Sequence, residues 1–243
     1  MLTKNHSKLI QSLKRKKFRN LHKLFVVEGV KSVKEVLKST VQVDKIFCLE
    51  TYKNEFTGDF EKYIISENHL KKVSNLKAPQ GVLALCKIEQ KPLSITDDEL
   101  IVALDGVNDP GNLGTIIRLA DWFGINKIIC SEHTADVYNP KVIQATMGSF
   151  TRVEVYYTDL NVFLENSSQT IFGAFLAGEN IYKKNLPDTG IIVMGNEANG
   201  ISKEIERFIN KKITIPSFGK KTPESLNVAV ATSIILSEFR RKS

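Results

Sequence analysis

The sequence has few of the residues that mark disulfide-rich, metal-binding or membrane-spanning proteins. Its 243 residues include three cysteines and four histidines, and neither type is spaced as a disulfide framework or a metal site. No apolar run approaches the ~20 residues of a membrane-spanning helix, and the amino terminus lacks the apolar core of a signal peptide. We therefore expect a cytoplasmic protein that binds no metal and crosses no membrane.

Acidic residues are missing from positions 1–27, which contain eight lysines or arginines. The whole chain has a formal net charge of +7, so this segment holds much of the excess. Positive charge concentrated in this way favours a polyanionic partner such as nucleic acid. The alternative is a solvated amphipathic helix over 4–17, in which Leu9, Ile10 and Leu13 pack inward while the lysines face water.

Strands alternate with helices along the whole sequence, which is typical of α/β proteins. A polar segment with a proline, residues 89–96, separates a small α/β domain (residues 1–90) from a larger one (residues 97–243). We expect the larger domain to contain a mostly parallel, doubly wound sheet. Its predicted strands are 100–104, 127–130, 153–157, 171–177, 191–194 and 213–215. Its predicted helices are 115–123, 140–147, 203–209 and a last one that starts at Ser225.

Three polar loops of the larger domain each follow a predicted strand. They comprise residues 105–114, 195–200 and 217–224. Because ligands of open α/β sheets lie at the carboxyl ends of strands, the three loops could converge on one crevice. None of them is a GxGxxG turn with an acidic residue beyond the next strand, and none is a GxxxxGK[ST] phosphate loop. A nicotinamide-dependent dehydrogenase and a P-loop nucleotidase are therefore disfavoured.

The last predicted helix begins at Ser225, a natural N-cap that places Asn227 in the first turn. Leu226, Val230 and Ile234 recur with a helical period on one predicted apolar face, with Ala229 beside them. Ile235 and Leu236 widen that apolar stripe. A strand that ends in a polar loop and leads into a helix presents free backbone N–H groups to a ligand. The alternative is an ordinary βα turn, which any α/β protein contains.

Taken together, the loops and their flanking elements resemble the SpoU (TrmH-like) branch of the SPOUT RNA methyltransferases. NDPGNLGTIIRLADWFG resembles the first motif of that family, and IIVMGNEANGIS resembles the second. ITIP and ESLNVAVATSI resemble the third. KLFVVEGVKSVKEVL and APQGVLAL in the small domain look like the family's L30e-like substrate-binding domain. Three motifs in the family's order are far more specific than any one of them.

This resemblance implies an enzyme that transfers a methyl group from S-adenosylmethionine to a ribose 2′-hydroxyl of structured RNA. It also implies that the carboxyl-terminal segment is threaded into a trefoil knot. The catalytic positions that it implies are Asn112, Arg118, Glu197, Ser225 and Asn227. The cofactor positions that it implies, mainly through backbone atoms, are Ala177, Gly178, Met194, Gly195, Ile215, Pro216, Leu226 and Asn227. The KKTPE segment at 220–224 looks longer than in common family members.

Several roles stay open at the level of sequence. Free arginine has a pKa above about 12, so Arg118 either acts as a base in a pKa-lowering environment or binds an RNA phosphate and orients the hydroxyl. A merely structural arginine would instead pair with Asp121 or another surface acid. Glu197 can orient Arg118, cap backbone N–H groups or order its own loop. The substrate is ribosomal or transfer RNA, and a non-catalytic RNA-binding protein of the same fold is the alternative function.

The resemblance also implies a homodimer, because family members place the active site beside a subunit interface. Val228, Ile235 and Phe239 give the last helix more apolar surface than one small domain needs. We therefore predict a dimer held by residues 97–243.

Overall fold

The computed structural model describes residues 2–89, 91–219 and 225–241. Their contacts define two compact units: Met1–Pro92 with Asp136–Thr151, and Leu93–Ala135 with Arg152–Ser243. The sequence predicts one uninterrupted domain over 97–243, whereas the contacts assign Asp136–Thr151 to the first unit. No helix of the described residues is long and apolar enough to cross a bilayer.

The described residues form ten strands and nine α-helices. The strands are β1 Leu24–Glu28, β2 Val43–Cys48, β3 Glu61–Ile64, β4 Val82–Lys87, β5 Leu100–Asp105, β6 Lys127–Cys130, β7 Glu154–Tyr157, β8 Ile171–Asn180, β9 Gly190–Gly195 and β10 Lys211–Thr214. The helices are α1 Lys4–Ser12, α2 Lys16–His22, α3 Val30–Leu37, α4 Glu67–Val73, α5 Pro110–Trp122, α6 Pro140–Thr146, α7 Leu160–Glu165, α8 Lys203–Glu206 and α9 Val228–Arg240.

The first unit is built on a four-stranded sheet in the order β1-β4-β2-β3. Its pairs are antiparallel apart from β2 and β3, which run parallel. Alternate side chains of β1 enter different cores, because neighbours along a strand point to opposite faces. Phe25 and Val27 pack with α3 and with Ile143 of α6, while Val26 packs with Ile10 of α1 on the other side.

The segment Asp136–Thr151 belongs to this unit because it completes one of its cores. The Phe25 ring lies 4.6 Å from the Tyr138 ring and 5.9 Å from the Phe150 ring, measured between centroids. Ile143 is buried in the same cluster. A stretch that lies between β6 and β7 in sequence therefore packs with residues more than a hundred positions earlier, which no local pattern could indicate.

The predicted helix over 4–17 is divided in the structure, where α1 ends at Ser12 and α2 begins at Lys16. The buried side chain of Arg19 binds the backbone between these two helices. The Arg19 guanidinium donates to the carbonyl oxygens of Leu13 (2.8 Å) and Lys14 (3.0 Å) and forms an ion pair with Asp136. Arg19 therefore has a structural role, because its guanidinium is committed to contacts within the chain.

The second unit contains a wholly parallel six-stranded sheet in the order β10-β8-β9-β5-β6-β7. The predicted parallel α/β architecture is confirmed. The central strands β5 and β9 read as continuous apolar runs because both of their faces are covered. The last strand is predicted to be buried and to span 213–215, but in the structure it is Lys211–Thr214. It lies at the sheet edge and buries Ile213 while Lys211 and Lys212 stay exposed.

Helix α5 begins five residues before its predicted start at Thr115. The Asp109 side chain accepts a hydrogen bond from the Asn112 N–H, and Pro110 occupies the first turn, where its missing N–H costs nothing. The polar composition of 110–114 resembles a loop, yet capping converts it into helix. Asn112 consequently lies on a rigid first turn.

Helix α9 begins at Val228, and its N-cap is Asn227, which corrects the prediction of Ser225. The Asn227 Oδ1 atom accepts from the N–H groups of Ala229 (2.9 Å) and Val230 (3.3 Å). Its buried face includes Ala229, Ile235 and Leu236 of the predicted stripe, but Leu226 and Val230 of that stripe are exposed. That face consists of Val228, Ala229, Thr232, Ile235, Leu236 and Phe239. Its apolar residues pack within the chain's own core, so they cannot supply the surface that the dimer prediction assigned to them.

The Arg19–Asp136 pair gives a test of how the first unit is held together. We expect Arg19→Ala to lower the unfolding free energy of this unit by about 3–5 kcal/mol, because Asp136 would be left as an uncompensated, partly buried charge. Urea unfolding followed by circular dichroism measures the change. Lys17→Ala, on an exposed position of the same helix, is the control and should change stability by ~0.5 kcal/mol or less. A loss below ~1 kcal/mol for Arg19→Ala would show that the pair is not structural.

Candidate active site

Two of the three predicted loops leave the sheet side by side. Strands β5 and β9 are parallel neighbours whose last paired residues are Asp105 and Gly195. The loops that follow are tied together at once, because the Asn196 side-chain amide donates to the Gly106 carbonyl at 2.7 Å. The Asp105 carboxylate accepts a hydrogen bond from the Ser202 N–H at 2.7 Å and so holds the end of the second loop at β5. The carboxyl edge of the sheet thus forms one continuous polar surface.

Glu197 joins these two loops through both of its carboxylate oxygens. Oε1 accepts from the Asn112 side chain (2.9 Å) and the Asp109 N–H (3.2 Å), and Oε2 accepts from the Asn108 N–H (3.3 Å). Partial burial raises the pKa of Glu197, but these hydrogen bonds lower it by more, so its pKa lies below the ordinary value of 4.5. The stabilisation from the carboxylate is therefore present above that value and lost as pH falls through the lowered pKa.

Asn112 extends this contact to the third motif. Its Oδ1 atom accepts from the Asn227 side-chain amide at 2.9 Å, while its own amide nitrogen donates to Glu197. Asn227 in turn caps α9. The amide orientations follow from chemistry, since a carboxylate has only acceptors and backbone N–H groups are only donors. The Glu197–Asn112–Asn227 network therefore connects the loop after β9, the first turn of α5 and the start of α9.

Arg118 lies on the exposed side of α5. Within the part of the chain that the structure describes, its side chain makes no ion pair or hydrogen bond. Asp121, the predicted partner of a structural arginine, pairs instead with Arg152 at 2.8 Å. Of the roles considered for Glu197, capping of backbone N–H groups is the one seen, and no contact between Glu197 and Arg118 occurs. The Arg118 guanidinium is thus available to a ligand.

Helices α5 and α9 run in the same direction beside each other. Asn112 meets Asn227 at their amino-terminal ends. Near the other ends, the Arg240 side chain donates to the Phe123 carbonyl at 3.0 Å. The two helices therefore lie side by side along the length of α5.

The predicted cofactor positions lie at or beyond the carboxyl ends of β8, β9 and β10, which are sheet neighbours. Met194 is buried at the end of β9. Ile215 and Pro216 follow β10. Ala177 and Gly178 lie in the exposed second half of β8. This placement is consistent with a ligand that binds mainly through main-chain atoms.

Close approach of the chain to itself explains the two glycines of this set. A Cβ atom on Gly195 would lie 2.2 Å from the carbonyl carbon of Gly200 and from the nitrogen of Ile201. A Cβ atom on Gly178 would lie 2.8 Å from the Lys212 carbonyl oxygen. Any side chain at Gly195 would therefore disrupt the loop itself, before it could fill a ligand crevice.

Free main-chain groups at this edge fit the proposed cofactor. The N–H groups of Ile215 and Leu226 donate to no other described residue. Ser225 and Leu226 are exposed just before the α9 cap, and the Ser225 hydroxyl has no hydrogen bond to the described residues. The predicted long segment 220–224 lies outside the described residues. Among residues 2–89, 91–219 and 225–241, no group of three or more His, Cys, Asp or Glu side chains could hold a metal ion.

Sequence reasoning missed three residues that build the site. Asp109 caps α5, Asp105 holds the Ser202 N–H, and Asn196 shapes its loop by accepting from the N–H groups two and three residues later. Two of them carried a readable signal. An Asp before a proline is typical of a helix start, and an Asn at the head of a polar loop is typical of an Asx turn. Asp105 carried none, because its partner is 97 positions away.

Family comparisons agree with this geometry. A profile described as the SpoU rRNA Methylase family matches residues 99–237, and one described as an MRM3-like substrate binding domain matches residues 4–84. The 23S rRNA (guanosine(2553)-2′-O)-methyltransferase RlmP of Bacillus subtilis is 28% identical over 237 residues, which cover 95% of this chain and 94% of the relative.

Solved structures show the same fold over the full length. A TrmH-family protein from Porphyromonas gingivalis has 36% sequence identity and a TM-score of 0.91, with 100% of both chains covered. An AdoMet-bound rRNA methyltransferase from Sinorhizobium meliloti has 29% identity and a TM-score of 0.86, covering 99% of this chain and 96% of that one. Because the first profile spans more than half of the sequence and contains all three loops, the chain belongs to the SpoU rRNA methylase family.

Proposed function

We propose that the protein methylates a ribose 2′-hydroxyl of ribosomal RNA in the cytoplasm, with S-adenosylmethionine as the methyl donor. The observation that carries this proposal is the Glu197–Asn112–Asn227 network, which joins the three family motifs at one edge of the parallel sheet. The name of the Bacillus subtilis relative specifies a guanosine 2′-oxygen of 23S rRNA. The Sinorhizobium meliloti structure is that of an AdoMet-bound rRNA methyltransferase. Both relatives favour ribosomal over transfer RNA.

When bound, the cofactor supplies a methyl group that its sulfonium charge already activates, so the protein's task is positioning and help with proton loss. We assign the cofactor to the backbone at Met194–Gly195, Ile215–Pro216 and Leu226–Asn227, and also to Ala177–Gly178. These segments lie along adjacent strand ends or beside the start of α9.

Arg118 is the residue that we assign to the RNA. Its exposed guanidinium has no partner among the described residues, and its planar fork of donors matches a phosphate group. We propose that it binds the phosphate next to the target nucleotide and orients the attacking hydroxyl. The Ser225 hydroxyl, also exposed and unbonded within the described residues, is placed to contact the same ribose.

Glu197, Asn112 and Asn227 position these groups. The Asn112 amide is bonded to Glu197, the Asn227 amide is bonded to the backbone of α9, and the two amides are bonded to each other. The network therefore fixes the amino-terminal ends of α5 and α9 relative to each other. We propose that Glu197 acts as an ionised hydrogen-bond acceptor and not as a proton carrier. Its lowered pKa supports this assignment, because the carboxylate stays charged at neutral pH.

We further propose a homodimer with the active site beside its interface, and a trefoil knot in the carboxyl-terminal segment. In place of the buried residues, we assign the dimer surface to exposed apolar side chains of α9 and α5. Val230 is 49% exposed, and Trp122 is 84% exposed. Large apolar side chains left in water are typical of interfaces. The knot rests on family membership, since true knots are otherwise very rare.

The substrate assignment is tested by mapping ribose methylation in total RNA from cells with and without the protein. A 2′-O-methyl group blocks alkaline cleavage at the next phosphate, so one protected position should disappear from ribosomal RNA in the deficient cells. Purified protein with labelled cofactor should restore it. Loss from transfer RNA alone would contradict the ribosomal assignment, and a methyl group on a base would contradict the reaction.

Arg118 distinguishes an enzyme from a binding protein. We expect Arg118→Ala to lower single-turnover methyl transfer by about 100-fold or more while cofactor affinity persists, since positioned groups contribute at least that much. Arg118→Lys should restore little, because a point charge lacks the planar fork. Arg152→Ala is the matched control, as Arg152 is an exposed arginine of the same unit whose surface pair with Asp121 contributes ~1 kcal/mol or less. Methyl transfer within a few-fold of wild type for Arg118→Ala would remove this residue from the mechanism.

The dimer surface is tested by charge insertion. Val230→Asp should convert the full-length protein to a monomer, because an aspartate buried at an interface loses its hydration without a partner. Val162→Asp is the control, since Val162 lies on α7 with a similar exposure of 54%. Sedimentation velocity at micromolar concentration gives the oligomeric state. A dimer that persists in the Val230→Asp protein would place the interface elsewhere.

A further inference from the structure

Helix α2 lacks the apolar face that normally holds a surface helix in place. Of its seven residues, all of them described, Arg19 alone is buried. Short helices depend on packing for their stability. Here the guanidinium performs that task, because it is bonded to the Leu13 and Lys14 carbonyls and to Asp136. Lys17, Leu21 and His22 of this helix are exposed.

Local structure around α2 is unfavourable in ways that a purely structural helix would avoid. Its N-cap is Arg15, which makes no side-chain cap bond, and Lys16 and Lys17 occupy the first turn. Cations at this end oppose the helix dipole. Lys23 ends the helix in the left-handed region with φ of 54°, where glycine or asparagine is preferred. Departures from local preference are typical of functional surfaces.

Four cations of α2 and its flanks have no acidic partner among the described residues. Lys14, Arg15, Lys17 and Lys23 are exposed, and none forms an ion pair with a described residue. No acidic residue occurs in positions 1–27, so the helix and its flanks carry only positive charge. Four lysine or arginine side chains close together in sequence form a patch that suits a chain of phosphates.

Aromatic side chains lie among these cations. The Phe18 and His22 rings, four positions apart on α2, are stacked with an interplanar angle of 17° and a centroid distance of 6.4 Å. His22 is exposed, as is the neighbouring Leu21, at 67%. Flat rings beside cations are the combination with which proteins hold unstacked RNA bases. A patch that met only duplex phosphates would have no use for an exposed ring and leucine.

We propose that α2 with its flanks, residues 14–23, is an RNA-docking surface. The four cations Lys14, Arg15, Lys17 and Lys23 contact phosphates, and the His22 ring, backed by Phe18, stacks on an unpaired base of a loop. Arg19 acts as the internal anchor that keeps the surface in place. This inference rests on the proposed function, because it assigns part of the RNA recognition to a defined helix outside the motifs that hold the cofactor.

The experiment compares RNA binding by the full-length wild-type protein and K14Q/R15Q/K17Q/K23Q. The probe is a fluorescein-labelled RNA hairpin with an unpaired loop, titrated at several salt concentrations between about 50 and 200 mM. We expect at least about tenfold weaker binding at the lowest salt, and a plot of log affinity against log salt that is shallower by about 3, as four lost phosphate contacts require. Circular dichroism and calorimetry with S-adenosylmethionine confirm that the variant is folded.

A matched control separates the helix from net charge. K31Q/K38Q/K72Q/K77Q removes four exposed lysines of the same unit and should retain the wild-type slope. His22→Ala should weaken hairpin binding about tenfold without changing the slope, and it should change binding to a duplex of equal length little, because stacking needs an unpaired base. Equal losses in the two quadruple variants, or a wild-type slope in K14Q/R15Q/K17Q/K23Q, would overturn the docking surface.

Other outcomes are equally informative. If K14Q/R15Q/K17Q/K23Q loses binding to phosphatidylserine vesicles but keeps its RNA affinity, the patch serves a membrane and the inference is wrong. Methyl transfer by the wild-type protein is scored separately. If the wild-type protein transfers a methyl group to RNA and the quadruple variant keeps its RNA affinity, the docking surface is wrong and the proposed function stands. If the wild-type protein transfers no methyl group and the quadruple variant loses RNA affinity, the docking surface stands and the proposed function is wrong.

Discussion

The candidate site depends on one side-chain amide, that of Asn112. Its nitrogen donates to Glu197 and its oxygen accepts from Asn227, so each end of the group is committed to a different part of the chain. Because the two ends of an amide are not interchangeable, replacement by aspartate or leucine would break one contact or both. The first turn of α5, the loop after β9 and the cap of α9 are therefore fixed together. Arg118 lies six residues further along α5, so the same contacts set its position.

The two units use an arginine side chain in different ways. In the first unit Arg19 is almost fully buried and every described contact of its guanidinium is structural. In the second, Arg118 is exposed while the nearby Asp121 is occupied by Arg152. An arginine that satisfies its hydrogen bonds internally has no capacity left for a ligand, whereas an unsatisfied one on a fixed helix retains all of its donors. The sequence alone did not show which partner either arginine meets.

Close backbone packing sets a second constraint on the site. Gly195 has no room for a Cβ atom because its own loop returns to within 2.2 Å of that position. Gly178 is similarly restricted by the neighbouring edge strand. The motif glycines therefore shape the strand ends before any ligand is considered. The N–H groups of Ile215 and Leu226 donate to no other described residue, so a site with few charged side chains can still offer donors to the proposed polar cofactor.

The sequence by itself determined the strands, their parallel arrangement and the residue types of the three motifs, because strand periodicity, apolar runs and capping chemistry act over a few neighbouring residues. Lys127–Cys130 has its predicted bounds, and α6 begins at Pro140 as predicted. Only the tertiary structure decided which partner each polar side chain meets and which face of α9 is covered. Asn112 and Asn227 are 115 positions apart, and Arg19 and Asp136 are 117 apart. A periodic pattern defines a helix face but not what packs against it, and contacts across such separations are set by chain topology, which leaves no local signature.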